Sequence, residues 1–157
     1  MIHGLAEIFE GKYSRIFIIA VGNYFRSDDG AGPRILERLK PTARVQLLNA
    51  ETNLERYIEP IKESGADVLL FLDCIHFGKE PGYTALLPVA QIEDYTLHSH
   101  NISLKRISDF FSVPAYVLGI QPASLKVSET LSEGVAAAVE EVVRELEGLM
   151  GQYGNKK

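Results

Sequence analysis

The chain has only one cysteine, Cys74, among its 157 residues. A single cysteine excludes an intramolecular disulfide and is typical of a protein that works in a reducing compartment. No apolar run approaches the roughly 18 residues that a membrane-spanning helix needs. The first seven residues lack both the basic region and the continuous apolar region of a secretory signal. We therefore expect a cytoplasmic protein without membrane insertion.

Positive charge is scarce as well. The formal net charge is -5, and no cluster of lysine and arginine stands out that could neutralise a row of phosphates. This balance argues against a nucleic-acid partner. The sequence also lacks a Gly-x-Ser-x-Gly turn, a His-Glu-x-x-His helix and a loop ending in Gly-Lys-Ser/Thr. These absences argue against the hydrolase and nucleotide-binding classes that those motifs define.

The composition is that of an ordinary globular protein, with 46% apolar and 24% charged residues. A chain of this length can bury a real core in one domain. We predict a single domain over residues 1–157, with an N-terminal extension at 1–13 and a frayed tail at 151–157. Four apolar residues of the extension can form a small amphipathic helix that covers the core locally: Ile2, Leu5, Ile8 and Phe9.

Strand patterns alternate with helix patterns along the chain. Apolar runs predict five strands, at residues 15–22, 45–48, 67–73, 83–88 and 115–120. Helical spacing and caps predict helices at residues 33–40, 53–64, 102–111 and 129–150. This alternation indicates an α/β fold with a mainly parallel sheet covered on both faces. Such sheets bind ligands beyond the carboxyl ends of the strands, where the strand order reverses.

The loop after the first strand holds two adjacent carboxylates, Asp28 and Asp29. Its glycines permit a tight reversal, but their spacing does not match a dinucleotide-binding fingerprint. Acids ahead of a helix can simply cap it, whereas the position after a buried strand favours a functional role. Asp73 ends the third strand at the same edge of the sheet, where it is either a cap or a ligand.

Two histidines, His98 and His100, precede a predicted helix and can reach this edge. Two carboxylates and an imidazole suit a borderline divalent ion such as nickel or zinc, with coordination positions left open. We expect His76, in the turn after Asp73, to be exposed. Cys74 follows Asp73, whose negative charge disfavours a thiolate, so we interpret this cysteine as a small buried hydrophobe.

Four ordered motifs resemble those of the nickel–iron hydrogenase maturation proteases. In chain order they are Gly22-Asn23-x4-Asp28-Asp29-Gly30-Ala31-Gly32-Pro33, Phe71-Leu72-Asp73-x4-Gly78-x2-Pro81-Gly82, His100-Asn101-x2-Leu104, and Leu118-Gly119-Ile120-Gln121-Pro122. Together they cover roughly residues 15–145. The third and fourth motifs are most similar to the branch that serves hydrogenase 3, the formate-hydrogenlyase type.

The resemblance implies a three-layer α/β/α fold with a five-stranded sheet, mostly parallel with one antiparallel strand. It implies an endopeptidase that removes the C-terminal extension of a hydrogenase large-subunit precursor after nickel insertion. The metal-binding positions of the family fall on Asp29, Asp73 and His100, with His100 favoured over His98 because Asn101 follows it. The substrate carries the nickel, so we expect no permanent cofactor, and we expect a monomer.

In the resulting hypothesis, substrate-bound nickel polarises the scissile carbonyl or a water molecule, and Asp29 or Asp73 is the general base. Asp28 has a loop-shaping role. Two other interpretations use the same ligands: a nickel-binding checkpoint or chaperone that holds the precursor without cutting it, and a metallohydrolase that keeps its own zinc. The order of the motifs favours the endopeptidase over both.

Overall fold

The computed structural model describes residues 1–92 and 103–155. In this part of the chain, five strands form one sheet: β1 (Ile16–Val21), β2 (Val45–Glu51), β3 (Val68–Cys74), β4 (Thr84–Pro88) and β5 (Ala115–Ile120). Five α-helices accompany them: α1 (Leu5–Phe9), α2 (Ala31–Leu36), α3 (Ile58–Glu63), α4 (Leu104–Ser108) and α5 (Glu133–Tyr153). The predicted alternation of strands and helices is confirmed.

The strand order of the sheet is β2-β1-β3-β5-β4, and every neighbouring pair is parallel except β4 with β5. On β1, Ile18 lies opposite Leu47 of β2 and Leu70 of β3. The predicted sheet, with one antiparallel strand, is therefore confirmed. The chain leaves β1 toward β2 on one side and then returns to β3 on the other side. The strand order consequently reverses between β1 and β3, which creates a crevice at their carboxyl ends.

Helices cover both faces of the sheet, and the residues of β1 point alternately to the two faces. One face packs with α1, α2 and α5 in a core that includes Ile16, Ile18, Ala20, Leu5, Ile35 and Val139. The other face packs with α3 and α4 in a second core that includes Phe17, Ile19, Val21, Ile61, Leu104 and Ile107. Because both faces are covered, β1 and β3 are buried along their whole length, which explains their continuous apolar runs.

Three predicted helices are shorter than expected, and one of them, predicted at residues 102–111, is α4, which ends at Ser108. The helix predicted at residues 53–64 is a 3-10 turn at Leu54–Tyr57 followed by α3. Pro60 lies in the first turn of α3, where its missing N–H costs little, but it could not donate within a helix that began at Asn53. The helix predicted at residues 33–40 begins earlier, at Ala31, and ends at Leu36.

Helix α5 buries a single apolar stripe: Val135, Ala138, Val139, Val142, Val143, Leu146 and Met150. The end of α5 differs from the prediction. A frayed tail was predicted from residue 151, and this prediction is wrong for residues 151–154. The helix continues to Tyr153, and the Gly154 carbonyl accepts from the Arg44 backbone amide and the Thr42 hydroxyl, each at 2.8 Å. Among the described residues, no helix is both long enough and apolar enough to cross a membrane.

The N-terminal extension covers the core, as predicted. Leu5, Ile8 and Phe9 of α1 are buried against the face that α5 also covers. The Ile2 backbone amide donates to the carboxylate of Glu145 on α5, at 3.0 and 3.1 Å from its two oxygens. The extension is therefore an integral part of one helical layer.

Candidate active site

The loop between β1 and α2 folds back over the end of β1 because Gly22 has a φ of 145°. A Cβ atom at this position would lie 1.9 Å from the carbonyl oxygen of Asp29, so the loop excludes every other residue. The Gly22 amide donates to the Glu51 carbonyl at 2.9 Å. The Asn23 amide donates to the Asp29 carboxylate at 3.0 Å. These contacts hold the buried Asp29 side chain at the carboxyl end of β1.

The neighbouring carboxylate, Asp28, binds the chain segment that connects β5 with α5. It accepts hydrogen bonds from the backbone amides of Ala123, Ser124 and Ser132, at 2.7 to 3.0 Å. The Ser132 hydroxyl donates to it at 2.9 Å. The predicted loop-shaping role of Asp28 is confirmed, and these bonds explain why α5 begins at Glu133 instead of residue 129.

Ser27 adds a second connection to the same segment. Its φ of 52° is uncommon for a residue other than glycine and costs of order 1–3 kcal/mol. Its amide donates to the Ser128 carbonyl at 2.7 Å, and its hydroxyl donates to the Thr130 carbonyl at 2.8 Å. The surrounding structure thus holds this conformation, and the loop that carries Asp29 is fixed from two sides.

Asp73 lies at the end of β3 and is fully buried. Its carboxylate accepts from the Cys74 amide at 2.8 Å, and its backbone pairs with Gly119 of β5. The start of α2 packs directly on this strand end, since a Cβ atom at Gly32 would lie 2.5 Å from the Leu72 carbonyl oxygen. Asp29 and Asp73 therefore lie at the ends of adjacent strands, on the two sides of the crevice.

The electrostatics of Cys74 report on the same carboxylates. Burial raises the pKa of the Cys74 thiol far above its usual range, and the charges of Asp73, Asp29 and Asp28 raise it further. The thiol is 1% exposed, so the interpretation of Cys74 as a small buried residue is confirmed. All three carboxylates are themselves buried, and the charge of each reaches the Cys74 thiol.

The histidines expected at the site have different outcomes. His98 and His100 lie outside the described residues, so the third ligand and the choice between them stay predictions. Within residues 1–92 and 103–155, no three His, Cys, Asp or Glu side chains are arranged to hold a metal ion. Of the predicted trio, Asp29 and Asp73 are described, and the charges of both act on Cys74. His76 is exposed, as expected, and it contacts Gln121.

Gln121, which the sequence marked only as part of a motif, organises the loop after β3. This buried side chain accepts from the backbone amides of Phe77 at 2.6 Å and Lys79 at 3.3 Å. Its amide nitrogen lies 3.1 Å from His76 Nδ1 and 3.2 Å from the Pro122 carbonyl oxygen. The available signal was its place directly after β5, at the edge where Asp29 and Asp73 lie.

Comparison with known proteins assigns the family. A family model described as HycI, hydrogenase maturation protease, matches residues 33–149. The chain belongs to this family. The hydrogenase 3 maturation protease of Escherichia coli K12 is 29% identical over 143 residues, which cover 87% of this chain and 92% of the relative. The resemblance found in the sequence motifs is thereby confirmed.

Solved structures of the family share the fold. The [NiFe] hydrogenase maturation protease HycI of Thermococcus kodakarensis superimposes with a TM-score of 0.81 at 27% identity, covering 94% of this chain and 98% of that chain. The endopeptidase HycI of Escherichia coli gives a TM-score of 0.73 at 26% identity, covering 85% and 90%. The predicted fold class is confirmed by these neighbours.

Membership of the family makes this chain an endopeptidase, a hydrolase of peptide bonds. Among the described residues, the buried groups at the crevice are the Cys74 thiol and the carboxylates, and the exposed His76 imidazole lies on the loop after β3. The raised pKa keeps the thiol neutral at physiological pH, and a neutral thiol is a weak nucleophile. The carboxylates of Asp29 and Asp73 are the buried groups at this edge that can act as a base or bind a cation.

Proposed function

We propose that this endopeptidase removes the C-terminal extension from the large-subunit precursor of a nickel–iron hydrogenase after nickel has been inserted. Similarity to the hydrogenase 3 maturation protease of Escherichia coli supports a hydrogenase of that type as the partner. In this proposal the enzyme acts in the cytoplasm as a monomer. The nickel belongs to the substrate, and the enzyme itself carries no permanent cofactor.

The observation that carries the proposal is the position of Asp29 and Asp73 on the two sides of the crevice between β1 and β3. Both side chains are at most 1% exposed, and a backbone amide donates to each carboxylate. Such fixed carboxylates can bind a divalent ion without reorganising. We propose that they bind the nickel of the precursor together with His100.

The bound nickel would serve both as a recognition element and as a Lewis acid. It polarises the scissile carbonyl or a water molecule, while Asp29 or Asp73 accepts a proton from the attacking water. The rigid loop around Asp29 supports this role, because general-base catalysis requires the base to stay within hydrogen-bonding reach of the water. The precursor is cut only when its nickel places the peptide bond beside these carboxylates.

The test uses the purified chain with nickel-loaded and nickel-free precursor. Mass spectrometry of the precursor detects cleavage and identifies the new C-terminus. We expect rapid cleavage of the loaded precursor and none of the nickel-free form. Equal cleavage of both forms would refute recognition of nickel, and stable binding of the loaded precursor without cleavage would indicate a checkpoint function.

Asparagine variants separate the role of the carboxylates from their general effect on folding. Asp29→Asn and Asp73→Asn should each lower kcat/KM by about 100-fold or more, since one carboxylate is the proposed general base, which contributes on that scale, and both are proposed ligands of the nickel. Asp67→Asn is the matched control at the opposite end of β3. Its carboxylate accepts from the amides of Ser14 and Arg15 at 3.0 and 2.9 Å. This control should retain full activity.

The third ligand is tested by comparing two histidine variants. His100→Ala should abolish cleavage and binding of the nickel-loaded precursor, whereas His98→Ala should leave both unchanged. The opposite result would assign the ligand position to His98 and leave the carboxylate assignment intact.

A further inference from the structure

We infer that His76 binds the precursor through its Nε2–H group and that Gln121 is the positioning residue that fixes the imidazole for this contact. The Nε2–H donates to a backbone carbonyl of the precursor segment lying beside the crevice. This inference rests on the proposed function and adds a substrate-binding residue to it. Its basis is the hydrogen-bond pattern of Gln121, which leaves the imidazole one neutral tautomer.

The side-chain amide of Gln121 has a single possible orientation. Its Oε1 accepts from two backbone amides, those of Phe77 and Lys79. If the NH2 group took that position, it would face these two backbone amides. Donors would then face donors, and none of them would have an acceptor in a buried site. The Nε2 group therefore lies on the opposite side, where one of its hydrogens reaches the Pro122 carbonyl oxygen at 3.2 Å.

The second Nε2 hydrogen of Gln121 points to Nδ1 of His76, 3.1 Å away. Nδ1 must accept this hydrogen bond, so a neutral imidazole carries its proton on Nε2. The Nδ1 lone pair is thereby occupied, and the Nε2–H of this exposed residue is available as a donor. His76 is consequently suited to bind a carbonyl oxygen and unsuited to coordinate a metal ion in this tautomer.

The loop position places this donor close to the crevice. His76 follows Asp73 by three residues, and the Ile75 amide donates to the Ile120 carbonyl at 3.0 Å, so the loop stays against the end of β5. A surface cleft of about 400 Å³ opens beside the imidazole, with largely apolar walls that include Ile75, Phe77, Leu87 and Ile92.

An extended peptide matches this combination of groups. It presents a backbone carbonyl about every 3.3 Å along its length, and successive side chains point to opposite sides. One side chain can therefore enter the apolar cleft while a neighbouring carbonyl accepts from His76. The volume of the cleft also lies within the usual range for ligand sites, about 300–1,000 Å³.

Conservative substitutions of His76 distinguish a donor from a structural residue. In His76→Gln, the side-chain nitrogen can occupy the position of the imidazole Nε2, whereas in His76→Asn it occupies the position of Nδ1. We expect His76→Asn and His76→Ala to raise KM for the nickel-loaded precursor by about tenfold, the effect of leaving one polar partner unpaired. We expect His76→Gln to stay within about threefold of the unsubstituted enzyme.

Nitrogen-15 NMR of the imidazole and the variant Gln121→Glu test the positioning role. In the unsubstituted protein, the spectrum of the neutral imidazole should show its proton on Nε2. A glutamate at position 121 presents an acceptor to Nδ1, so the Nδ1 nitrogen should become protonated and KM should rise as in His76→Ala. A neutral imidazole with its proton on Nδ1 in the unsubstituted protein would overturn the inference.

The cleavage assay separates failure of this inference from failure of the proposed function. If the unsubstituted enzyme cuts the precursor and all three His76 variants have the same KM as the unsubstituted enzyme, the inference is overturned and the proposed function stands. If the unsubstituted enzyme does not cut the nickel-loaded precursor, both are overturned. Because His76 is exposed, its variants are expected to fold, which circular dichroism checks.

Discussion

A Cβ atom on Gly32 would lie 2.5 Å from the carbonyl oxygen of Leu72, so the first turn of α2 contacts the backbone of β3 directly. This contact joins the loop that carries Asp29 to β3, in which Asp73 is the residue before the last. The spacing of the two carboxylates therefore depends on the absence of a side chain at position 32. No neighbouring side chain can relieve the contact, because the opposing atom belongs to the backbone.

The first prediction concerns this contact. Gly32→Ala should force α2 and its loop away from β3 and lower kcat by about 100-fold, since a shift near 1 Å at reacting groups costs that much. It should also lower the free energy of unfolding by about 1–3 kcal/mol. Cleavage of nickel-loaded precursor and urea denaturation measure the two effects.

Gly148→Ala is the matched control for Gly32→Ala. Gly148 lies within α5, and no atom beyond its own helix surroundings lies within 4 Å of an added Cβ. Alanine should there raise the free energy of unfolding by about 0.5–1 kcal/mol and leave cleavage unchanged. Equal activity of the two alanine variants would contradict the importance of the Gly32–Leu72 contact.

The second prediction concerns Asp28, whose carboxylate accepts four hydrogen bonds from three residues. Asp28→Asn replaces one acceptor oxygen by an NH2 group that faces donors, so buried amides lose their partners. The free energy of unfolding should fall by about 3 kcal/mol. Cleavage should fall as well, because the Asp29 loop loses its connection to the segment before α5. An unchanged urea midpoint would show that the four hydrogen bonds of Asp28 do not contribute to stability.

The third prediction concerns the reactivity of Cys74. Because burial and neighbouring carboxylates raise its pKa, the thiol should resist disulfide reagents in the folded protein and react fully after denaturation. Cys74→Ala should retain cleavage activity, since the thiol is not a nucleophile. Rapid labelling of the folded protein, or loss of cleavage in an alanine variant that still folds, would contradict this.

The same thiol makes stability depend on pH in one direction. Its pKa is higher in the folded protein than in the unfolded chain, so the unfolded chain releases the proton first as pH rises. The stabilisation is therefore complete below the ordinary thiol pKa of about 8.5 and declines above it. Between pH 8 and pH 10, the urea midpoint of the unsubstituted protein should fall more than that of Cys74→Ala.

The fourth prediction concerns Arg44, a buried arginine that donates to backbone carbonyls instead of a carboxylate. Its guanidinium reaches the carbonyls of Phe9, Tyr13, Ser14 and Tyr153, joining the N-terminal extension to the end of α5. Arg44→Met should lower the free energy of unfolding by about 2–4 kcal/mol and expose residues 1–13 to limited proteolysis.

Arg38→Met provides the comparison for Arg44→Met. Arg38 forms a surface ion pair with Glu140 at 2.6 Å, in which both side chains are about half exposed. Surface ion pairs contribute little to stability, so this variant should unfold at nearly the same urea concentration as the unsubstituted protein. If both arginine variants lost the same free energy of unfolding, the four contacts of Arg44 with carbonyls would contribute no more to stability than a surface ion pair.

Much of the fold follows from local patterns in the sequence. The continuous apolar runs of β1 and β3 predict strands buried on both faces, and the stripe of α5 predicts one helix packed along the sheet. Because parallel strands place their carboxyl ends at one edge, Asp29 and Asp73 could be expected to converge from their positions alone. The four motifs added the family and the role of nickel as a hypothesis.

The remaining features depend on contacts between residues far apart in the chain. The partners of Asp28 lie 95 to 104 residues away, and the Arg44 contact that holds the end of α5 spans 109 residues. No local pattern marks such pairs, so the beginning and the end of α5 were both predicted incorrectly. Gln121 and His76 are separated by 45 residues and meet only because β3 and β5 are neighbours.

The order of the elements, the apolar faces and the edge at which the carboxylates lie can be predicted from the sequence, because they follow from hydrophobic periodicity and strand direction. The contacts that build this edge could not be predicted in that way, and the folded structure was needed to find them. It assigned Asp28 to the segment before α5, set α2 against the Leu72 carbonyl, and oriented Gln121 toward His76. Each of these depends on which backbone groups remain unsatisfied after the strands have paired, and that is a property of the assembled sheet.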